Sequence, residues 1–285
     1  MLKSYQAPVP VIIVGNINVG GSGKTPVVIA LYHLLKREGY KPGIISRGYG
    51  GNYKGFVWVT ETNNPLNVGD EPVLIARHTQ APMVVAKKRE LAIEALLKNS
   101  DCNIILSDDG LQHYALKRDI EIAVVSELGN QFLLPAGPLR EPTSRLKTVD
   151  FIVRPQLVGD TLVNLRDPSI TMAVMQLDGR LIHAVAGIGN PCRFFKHLES
   201  LGARVIPHAF PDHYAFREKD LHFQDDLMVV MTEKDAVKCQ GFANEHCWFL
   251  PVEAKLDEKF EVGLLEKLRG LCHSFAGMTQ KKEKS

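Results

Sequence analysis

The first half of the chain alternates short apolar runs with stretches of helical periodicity. The apolar runs predict strands at 9–15, 41–46, 81–86, 103–107 and 121–125, and the helical spacing predicts helices at 24–38, 70–79 and 87–99. Strands that are apolar on both faces are typical of a parallel sheet covered by helices. The pattern therefore predicts an α/β fold in which ligands bind at the carboxyl ends of the strands.

A second region follows Pro155. Residues 160–165 and 171–178 alternate polar and apolar positions around an Asp-Pro turn, which predicts a hairpin. Beyond it the pattern predicts strands at 181–186, 203–207, 225–231 and 247–251, and helices at 191–201, 233–238 and 257–273. We expect a first domain at 1–157, a two-stranded β linker at 158–180 that acts as a hinge, a smaller α/β domain at 181–275 and a disordered tail at 276–285.

Composition narrows the class of protein. The chain has 285 residues, 45% of them hydrophobic and 23% charged, with a net charge of +2, so we expect a globular protein with no nucleic-acid partner. Its five cysteines include no C-x-x-C pair, which predicts neither a disulfide framework nor a zinc site and favours a reducing cytoplasm. We expect neither a signal peptide nor a membrane-spanning segment.

Residues 9–25 read VPVIIVGNINVGGSGKT, a strand followed by a glycine-rich turn and a helix start. Glycines let several backbone N–H groups face one phosphate, and the helix N-terminus adds positive partial charge. Lys24 can reach the β- and γ-phosphates, and the Thr25 hydroxyl can ligate Mg²⁺. A turn that only connects strand to helix is the alternative, and Asn18 replaces the first glycine of the general pattern. The order of strand, loop, Lys-Thr and helix favours nucleotide binding, by a cradle of Val19, Gly20, Gly21, Ser22, Gly23, Lys24, Thr25 and Pro26.

Two further segments carry acidic residues where metal-binding or catalytic side chains are expected. Asp108 and Asp109 end an apolar strand, as the Mg²⁺-holding acid does in phosphate-loop enzymes, although Asp-Gly is also common in turns. Asp70 begins a predicted helix, where it is either a helix cap or a base that polarises an acceptor hydroxyl. The spacing alone leaves both alternatives open.

Basic and aromatic loop residues complete the candidates. Arg47 begins a glycine-containing loop after the second predicted strand, and Arg140 follows the glycine–proline run at 135–138, so both can pair with phosphates. His213 follows Asp212 in a loop where the pair can orient a proton. An ordinary surface arginine and a structural histidine are the alternatives.

Together these segments resemble the tetraacyldisaccharide 4'-kinases, the lipid A 4'-kinases of Gram-negative bacteria. The matching motifs span nearly the whole chain in the family's order: VGNINVGGSGKTP at 14–26, ISRGYGG at 45–51, VGDEP at 68–72, SDDGLQH at 107–113, PAGPLREP at 135–142, FPDHYAF at 210–216 and MTEKDAVK at 231–238.

The resemblance implies a P-loop NTPase-like α/β/α sandwich, joined by a two-stranded linker to a second, smaller α/β/α domain. It implies an ATP- and Mg²⁺-dependent kinase that phosphorylates the 4'-hydroxyl of a tetraacylated glucosamine disaccharide 1-phosphate, giving lipid IVA, at the cytoplasmic face of the inner membrane. We expect a monomer in transient contact with that membrane.

The resemblance also implies roles for single residues. Asp70 is the general base, assisted by His213, and Lys24 and Asp109 complete the catalytic set. Thr25 and Asp108 hold the metal. The remaining motif residues are expected near the acceptor or the phosphates: Arg47, Tyr49 and Arg140.

Two features depart from the family. Its members usually carry a membrane-associating helix before the first strand, whereas about eight residues precede that strand here, so we expect either a longer native start or membrane contact through other surfaces. The usual Asp-His-His reads Asp212-His213-Tyr214, which retains His213. Two rival functions remain: a soluble P-loop kinase acting on another sugar or nucleoside, and a partitioning ATPase, which Val19 disfavours because that class carries a lysine there.

Overall fold

The computed structural model describes residues 4–21, 23–126 and 129–282, with side chains to residue 271. Fifteen strands and seven α-helices are assigned within these residues, with three short 3₁₀ turns. The first seven strands are β1 (Val11–Gly15), β2 (Pro42–Ser46), β3 (Phe56–Trp58), β4 (Met83–Ala86), β5 (Ile104–Ser107), β6 (Ile120–Val124) and β7 (Phe151–Val153). The others are β8 (Gln156–Val158), β9 (Thr161–Asn164), β10 (Thr171–Ala173), β11 (Leu181–Ala186), β12 (Arg204–Ala209), β13 (Val229–Thr232), β14 (Cys247–Leu250) and β15 (Glu253–Lys255).

The helices follow the strands in α/β alternation. They are α1 (Lys24–Arg37), α2 (Pro65–Val68), α3 (Asp70–Thr79), α4 (Arg89–Asn99), α5 (Pro191–Ser200), α6 (Glu233–Cys239) and α7 (Glu258–Lys282). Among the described residues, no helix combines the length and apolar character needed to cross a bilayer.

The first seven strands form one sheet in the order β3-β4-β2-β5-β1-β6-β7. All neighbours are parallel except the edge strand β3. Its central strands are fully buried because helices cover both faces: α1, α3 and α7 pack on one face and α4 on the other. The carboxyl ends of β1, β2 and β5 therefore meet at one edge, as expected for a ligand-binding α/β sheet.

A second sheet has the order β10-β9-β14-β13-β11-β12. Strands β12, β11, β13 and β14 are parallel, with α5 packed on one face and α6 on the other. The predicted α/β/α class is confirmed for the chain, with two parallel sheets covered by helices.

The two-stranded connection does not lie where the sequence pattern places it. The hairpin around the Asp-Pro turn exists as β9 and β10, but it extends the second sheet because β9 also pairs with β14. The ribbon outside the two sheets is formed instead by β8 and β15, which are antiparallel. The alternating pattern identifies a hairpin without revealing which strand its outer edge will join.

The C-terminal helix also differs from the prediction. Leu264 and Leu268 of α7 are fully buried in the first sheet's core, so the described side chains of this helix place it on the first unit, whereas the sequence pattern assigned it to the second. The helix runs to Lys282, through much of the predicted disordered tail, and residues 283–285 lie outside the described part of the chain.

Candidate active site

Hydrogen bonds to its backbone hold the segment that contains the glycine-rich loop between β1 and α1. Gly20 and Gly23 adopt φ values of 111° and 81°, which favour glycine. The Val19 N–H donates to the Pro138 carbonyl at 2.8 Å, and Gln112 Nε2 donates to the Asn16 carbonyl at 2.8 Å. Ser22 lies outside the described residues. The loop ends at the α1 N-terminus, where free helix N–H groups attract an anion.

The second unit reaches this loop through Gly189. A Cβ at Gly189 would lie 2.8 Å from both Gly20 Cα and Gly21 N, so the two backbones touch. Gly189 belongs to the turn Gly187-Ile188-Gly189-Asn190 between β11 and α5, which the sequence analysis did not single out. Two glycines between a predicted strand and a predicted helix indicate that another backbone can approach closely. This pattern could have identified the turn as a candidate contact.

Asp108 lies directly after β5 and is 1% exposed. Its Oδ2 accepts a hydrogen bond from Ser46 Oγ at 3.0 Å, at the end of β2. Within the described residues no hydrogen-bond donor reaches Oδ1. Burial, with the neighbouring carboxylates of Glu71 and Asp109, raises the pKa of Asp108 to about 7.

Asp109 forms an ion pair with Lys24, which follows the glycine-rich loop. Its Oδ1 lies 3.0 Å from Lys24 Nζ, and Arg140 Nη1 lies 3.5 Å from its Oδ2. Burial opposes the charge on Asp109, but Lys24, followed by Arg140, lowers its pKa below the ordinary value. Burial likewise opposes the charge on Lys24, yet Asp109 and Glu71 raise the pKa of the ammonium. Both groups are therefore charged near neutrality.

Oxygen ligands for a hard cation are available beside this pair. Asp108 Oδ1 is buried without a donor, and Thr25 is buried in the first turn of α1. Mg²⁺ is commonly held by one or two carboxylates together with substrate phosphates, so these residues fit it. The described residues contain no group of three or more His, Cys, Asp and Glu side chains arranged to bind a metal.

Asp70 and His213 meet across the two units. Asp70, the first residue of α3, is 4% exposed, and His213 Nδ1 lies 3.1 Å from each of its carboxylate oxygens. Asp70 Oδ1 also accepts from the Glu71 N–H at 2.9 Å, which stabilises the first turn of α3. The helix cap position is Gly69, so Asp70 lies one residue inside the helix, where its carboxylate faces a histidine from the other unit.

Lysines from α6 add positive charge around Asp70. Lys238 Nζ lies 3.7 Å from Asp70 Oδ2 and 2.8 Å from Asp235 Oδ1, while Lys234 Nζ lies 3.1 Å from Glu71 Oε1. Burial alone would raise the pKa of Asp70, but the His213 hydrogen bond and these lysines lower it. The hydrogen bond to Asp70 in turn raises the pKa of His213.

A cavity of about 210 Å³ opens onto Asp70 and His213. Its walls come from both units and include apolar and aromatic side chains: Tyr49, Pro65, Leu66, Tyr214, Phe216 and Phe242. The Tyr49 ring lies 5.0 Å from the His213 ring. Arg47 is exposed at the end of β2, where its charge lowers the pKa of His113 together with burial and Arg89.

Glu71 links the cradle to this cavity. It is adjacent in sequence to Asp70 and close enough to Lys24 and Asp108 to raise the pKa of both. The predicted site residues therefore form two neighbouring groups, one around Lys24 and one around Asp70. Glu71 was not predicted as a site residue, because a carboxylate within a predicted helix is usually assigned to the solvent-exposed side of that helix.

Arg89 was also missed. It is 2% exposed at the start of α4, and its Nη2 donates to the Asp108 carbonyl at 2.7 Å. Burial lowers its pKa to about 10 despite the nearby aspartates. The run Lys87-Lys88-Arg89 gave no signal, because three adjacent cations predict a solvated helix face.

The chain is similar to known proteins over most of its length. A family model described as tetraacyldisaccharide-1-P 4'-kinase matches residues 1–269. Curated proteins named tetraacyldisaccharide 4'-kinase are similar throughout: one from Coxiella burnetii is 51% identical over 91% of this chain and 81% of its own length. Another from Methylobacillus flagellatus is 50% identical over 95% of this chain and 85% of its own length.

A solved structure is similar as well. It is a crystal structure of LpxK from Aquifex aeolicus in complex with ATP, with a TM-score of 0.78 and 31% sequence identity. The match covers 94% of this chain and 91% of that one. With the family model spanning both units and relatives near 50% identity, the chain belongs to the tetraacyldisaccharide-1-P 4'-kinase family.

Proposed function

We propose that this protein transfers the γ-phosphoryl group of ATP to the 4'-hydroxyl of a tetraacylated glucosamine disaccharide 1-phosphate, giving lipid IVA. One observation carries the proposal: a phosphate cradle with a lysine that is 13% exposed lies beside a cavity containing a buried, charged Asp70. The family membership supplies the chemical identity of the acceptor, and the ATP complex of the Aquifex relative supports the choice of nucleotide.

Within the cradle, Val19 to Pro26, the triphosphate is bound by the backbone N–H groups of the glycine-rich segment and by the α1 N-terminus. Pro26 has no N–H, and the N–H of Val19 already donates to the Pro138 carbonyl. Lys24 contacts the β- and γ-phosphates, and Asp109 holds its ammonium in place from 3.0 Å. Mg²⁺ held by Thr25 and Asp108 would neutralise charge on those phosphates. Arg140, at 3.5 Å from Asp109, adds positive charge on the phosphate side.

Asp70 accepts the proton of the acceptor hydroxyl. Phosphoryl transfer passes through a loose transition state, so the carboxylate needs to orient the hydroxyl more than to be a strong base. Its lowered pKa fits that task, because the carboxylate stays ionised throughout the neutral range. His213 orients the carboxylate through Nδ1, and Tyr49 and Arg47 border the acceptor.

The acceptor also implies where the protein works. A tetraacylated disaccharide resides in a membrane, so we place the enzyme at the cytoplasmic face of the inner membrane as a peripheral monomer. The apolar side chains around the acceptor cavity, Leu66 at 59% exposure among them, suit contact with an acylated molecule.

Mass spectrometry tests the proposal. Purified protein with ATP, magnesium and the acylated disaccharide 1-phosphate should add one phosphate to the disaccharide. Parallel reactions with the deacylated disaccharide and with nucleosides separate this function from that of a soluble sugar or nucleoside kinase. ATP hydrolysis without phosphorylation of any acceptor would refute the transferase assignment.

A further inference from the structure

The loop at 129–137, here called the apolar loop, exposes an unusual set of side chains. Residues 129–136 are all exposed, and the sequence carries no charge from Gly129 to Leu139. Three large apolar residues are consecutive within it: Phe132 is 63% exposed, Leu133 48% and Leu134 55%. Single exposed apolar residues are ordinary, whereas three in a row on an uncharged loop form a patch.

The backbone of the apolar loop satisfies much of its own hydrogen bonding. The Leu134 N–H donates to the Leu139 carbonyl at 2.8 Å, the Gly137 N–H to the Leu133 carbonyl at 3.0 Å, and the Leu139 N–H to the Phe132 carbonyl at 3.0 Å. The Asn130 side chain accepts from the Phe132 N–H at 3.1 Å. Internal pairing lowers the cost of moving polar groups into a low-dielectric medium, and this loop pairs the N–H groups of Phe132, Leu134 and Gly137 in this way.

The apolar loop is continuous with the phosphate cradle. Pro138, next to the loop, accepts the Val19 N–H, and Val19 is itself 44% exposed. Arg140, two residues further on, lies beside Asp109. A surface that contacts Phe132 to Leu134 therefore lies next to the phosphate cradle, while the hydrogen bond to the cradle is made by Pro138 and not by these three side chains.

We propose that the apolar loop docks this enzyme on a lipid bilayer by inserting Phe132, Leu133 and Leu134 into its interfacial region. The inference rests on the proposed function, because a lipid acceptor must be reached at a membrane. The alternative is that the apolar loop binds a second copy of this chain. Stable protein–protein interfaces bury about 1,200–2,000 Å² in total, far more than three side chains on one loop offer, whereas shallow insertion needs no matching partner surface.

Vesicle sedimentation tests the docking surface without the reaction. The probe is sucrose-loaded vesicles of phosphatidylethanolamine and phosphatidylglycerol that contain no acceptor. The triple substitution F132S/L133S/L134S should lower the bound-to-free ratio on the order of tenfold or more, since each buried apolar group contributes to partitioning. The matched control I170S/M175S removes apolar residues that are 50% and 77% exposed in the second unit, and it should bind as the wild type does.

A single substitution gives an independent measurement. Phe132→Trp adds a fluorophore at the loop, and vesicles with brominated acyl chains should quench that added emission, after subtraction of the wild-type signal. Absence of quenching, or equal vesicle binding by the triple variant and the wild type, would overturn the proposal. So would a dimeric wild type that the triple substitution converts to a monomer in the absence of vesicles.

Activity in detergent micelles separates this inference from the proposed function. In micelles the acceptor no longer lies in a bilayer, so the triple variant should retain the wild-type kcat. A wild type that binds vesicles but phosphorylates no acylated disaccharide would sink the proposed function and leave the docking surface intact.

Discussion

Asp70 and His213 are 143 residues apart in the chain, yet His213 Nδ1 lies 3.1 Å from both Asp70 oxygens. The pair joins the first residue of α3 to a loop of the second unit, so the proposed base is oriented by a group from the other unit.

Replacing Asp70 with Asn should separate binding from transfer. The amide keeps the shape of the side chain but cannot accept the hydroxyl proton, so kcat should fall on the order of 10²–10⁴ while ATP affinity is unchanged. Steady-state kinetics and equilibrium ATP binding make the comparison. Asp101→Asn, at a 78%-exposed carboxylate, is the control, and normal turnover by the Asp70 variant would exclude its role as base.

The pH profile should respond to Lys238. Its ammonium, 3.7 Å from Asp70 Oδ2, helps to lower the pKa of that carboxyl. In Lys238→Met the pKa of Asp70 should rise, so the ionised base is lost at a higher pH and the acid limb of kcat/KM moves upward. Lys219→Met, at an exposed lysine of the same unit, should leave the limb in place. If Lys238→Met lowers kcat/KM equally at every pH and leaves the acid limb in place, Lys238 has only a structural role.

Lys24→Met should weaken the triphosphate site specifically. Asp109 would keep Arg140, at 3.5 Å, and Arg89 as nearby cations, and the phosphates would lose the largely buried ammonium of Lys24. Loss of one preorganised charge of this kind costs on the order of 10²–10³ in rate. Lys36→Met, on an exposed position of the same helix, controls for helix effects. Unchanged kcat/KM for ATP in the Lys24 variant would contradict the assignment.

The contact between His78 of α3 and Glu233 of α6 should make stability depend on pH. The two side chains lie 2.7 Å apart, and the hydrogen bond to Glu233 raises the pKa of His78 above its usual 6.5. The contact therefore contributes its full stabilisation of the folded state below about pH 6.5, and this stabilisation is lost as the pH rises through the folded-state pKa of His78. Because the His78 side chain is 34% exposed, we expect no more than about 1 kcal/mol.

Thermal unfolding checks this sign. His78→Gln should lower the midpoint more at pH 6 than at pH 8.5, whereas His33→Gln, at an exposed histidine of α1, should show no such difference. A larger effect of His78→Gln at the alkaline pH would reverse the linkage and refute the argument.

Gly189→Ala should disturb the contact between the second unit and the phosphate cradle. The added methyl group would lie 2.8 Å from the backbone of Gly20 and Gly21, which cannot rotate away as a side chain can. We expect a loss of about 1–3 kcal/mol of stability together with weaker ATP binding. Gly241→Ala, where the methyl group meets nothing within 4 Å, is the matched control. Equal behaviour of the two variants would show that the contact is dispensable.

The phosphate cradle could be predicted from the sequence because its information is local. Glycines, Lys24 and Thr25 are neighbours in the chain, and Asp108 and Asp109 end a strand whose apolar run is easily seen. In a parallel sheet the carboxyl ends of strands share an edge, so these residues were expected together and are found together.

Residues brought together by packing were harder to predict. The spacing of Asp70 and His213 said nothing of their contact, which only the family resemblance implied. The lysines of α6 lie in one of the family motifs, but no contact with Asp70 or Glu71 was predicted for them. The pattern of α7 revealed an amphipathic helix but not which sheet it would cover. Similarly, β9 and β10 were recognised as a hairpin, while the three-residue strands β8 and β15 were too short to give a signal.

Strand β8 carries the chain from the first unit to the second, and strand β15 carries it back. The second unit is therefore connected through two paired strands and not through a single strand. Two strands joined by hydrogen bonds restrict the orientation of the second unit more than one flexible strand would, because each strand limits rotation of the other. If Asp70 and His213 act as proposed, this paired connection helps to preserve their alignment.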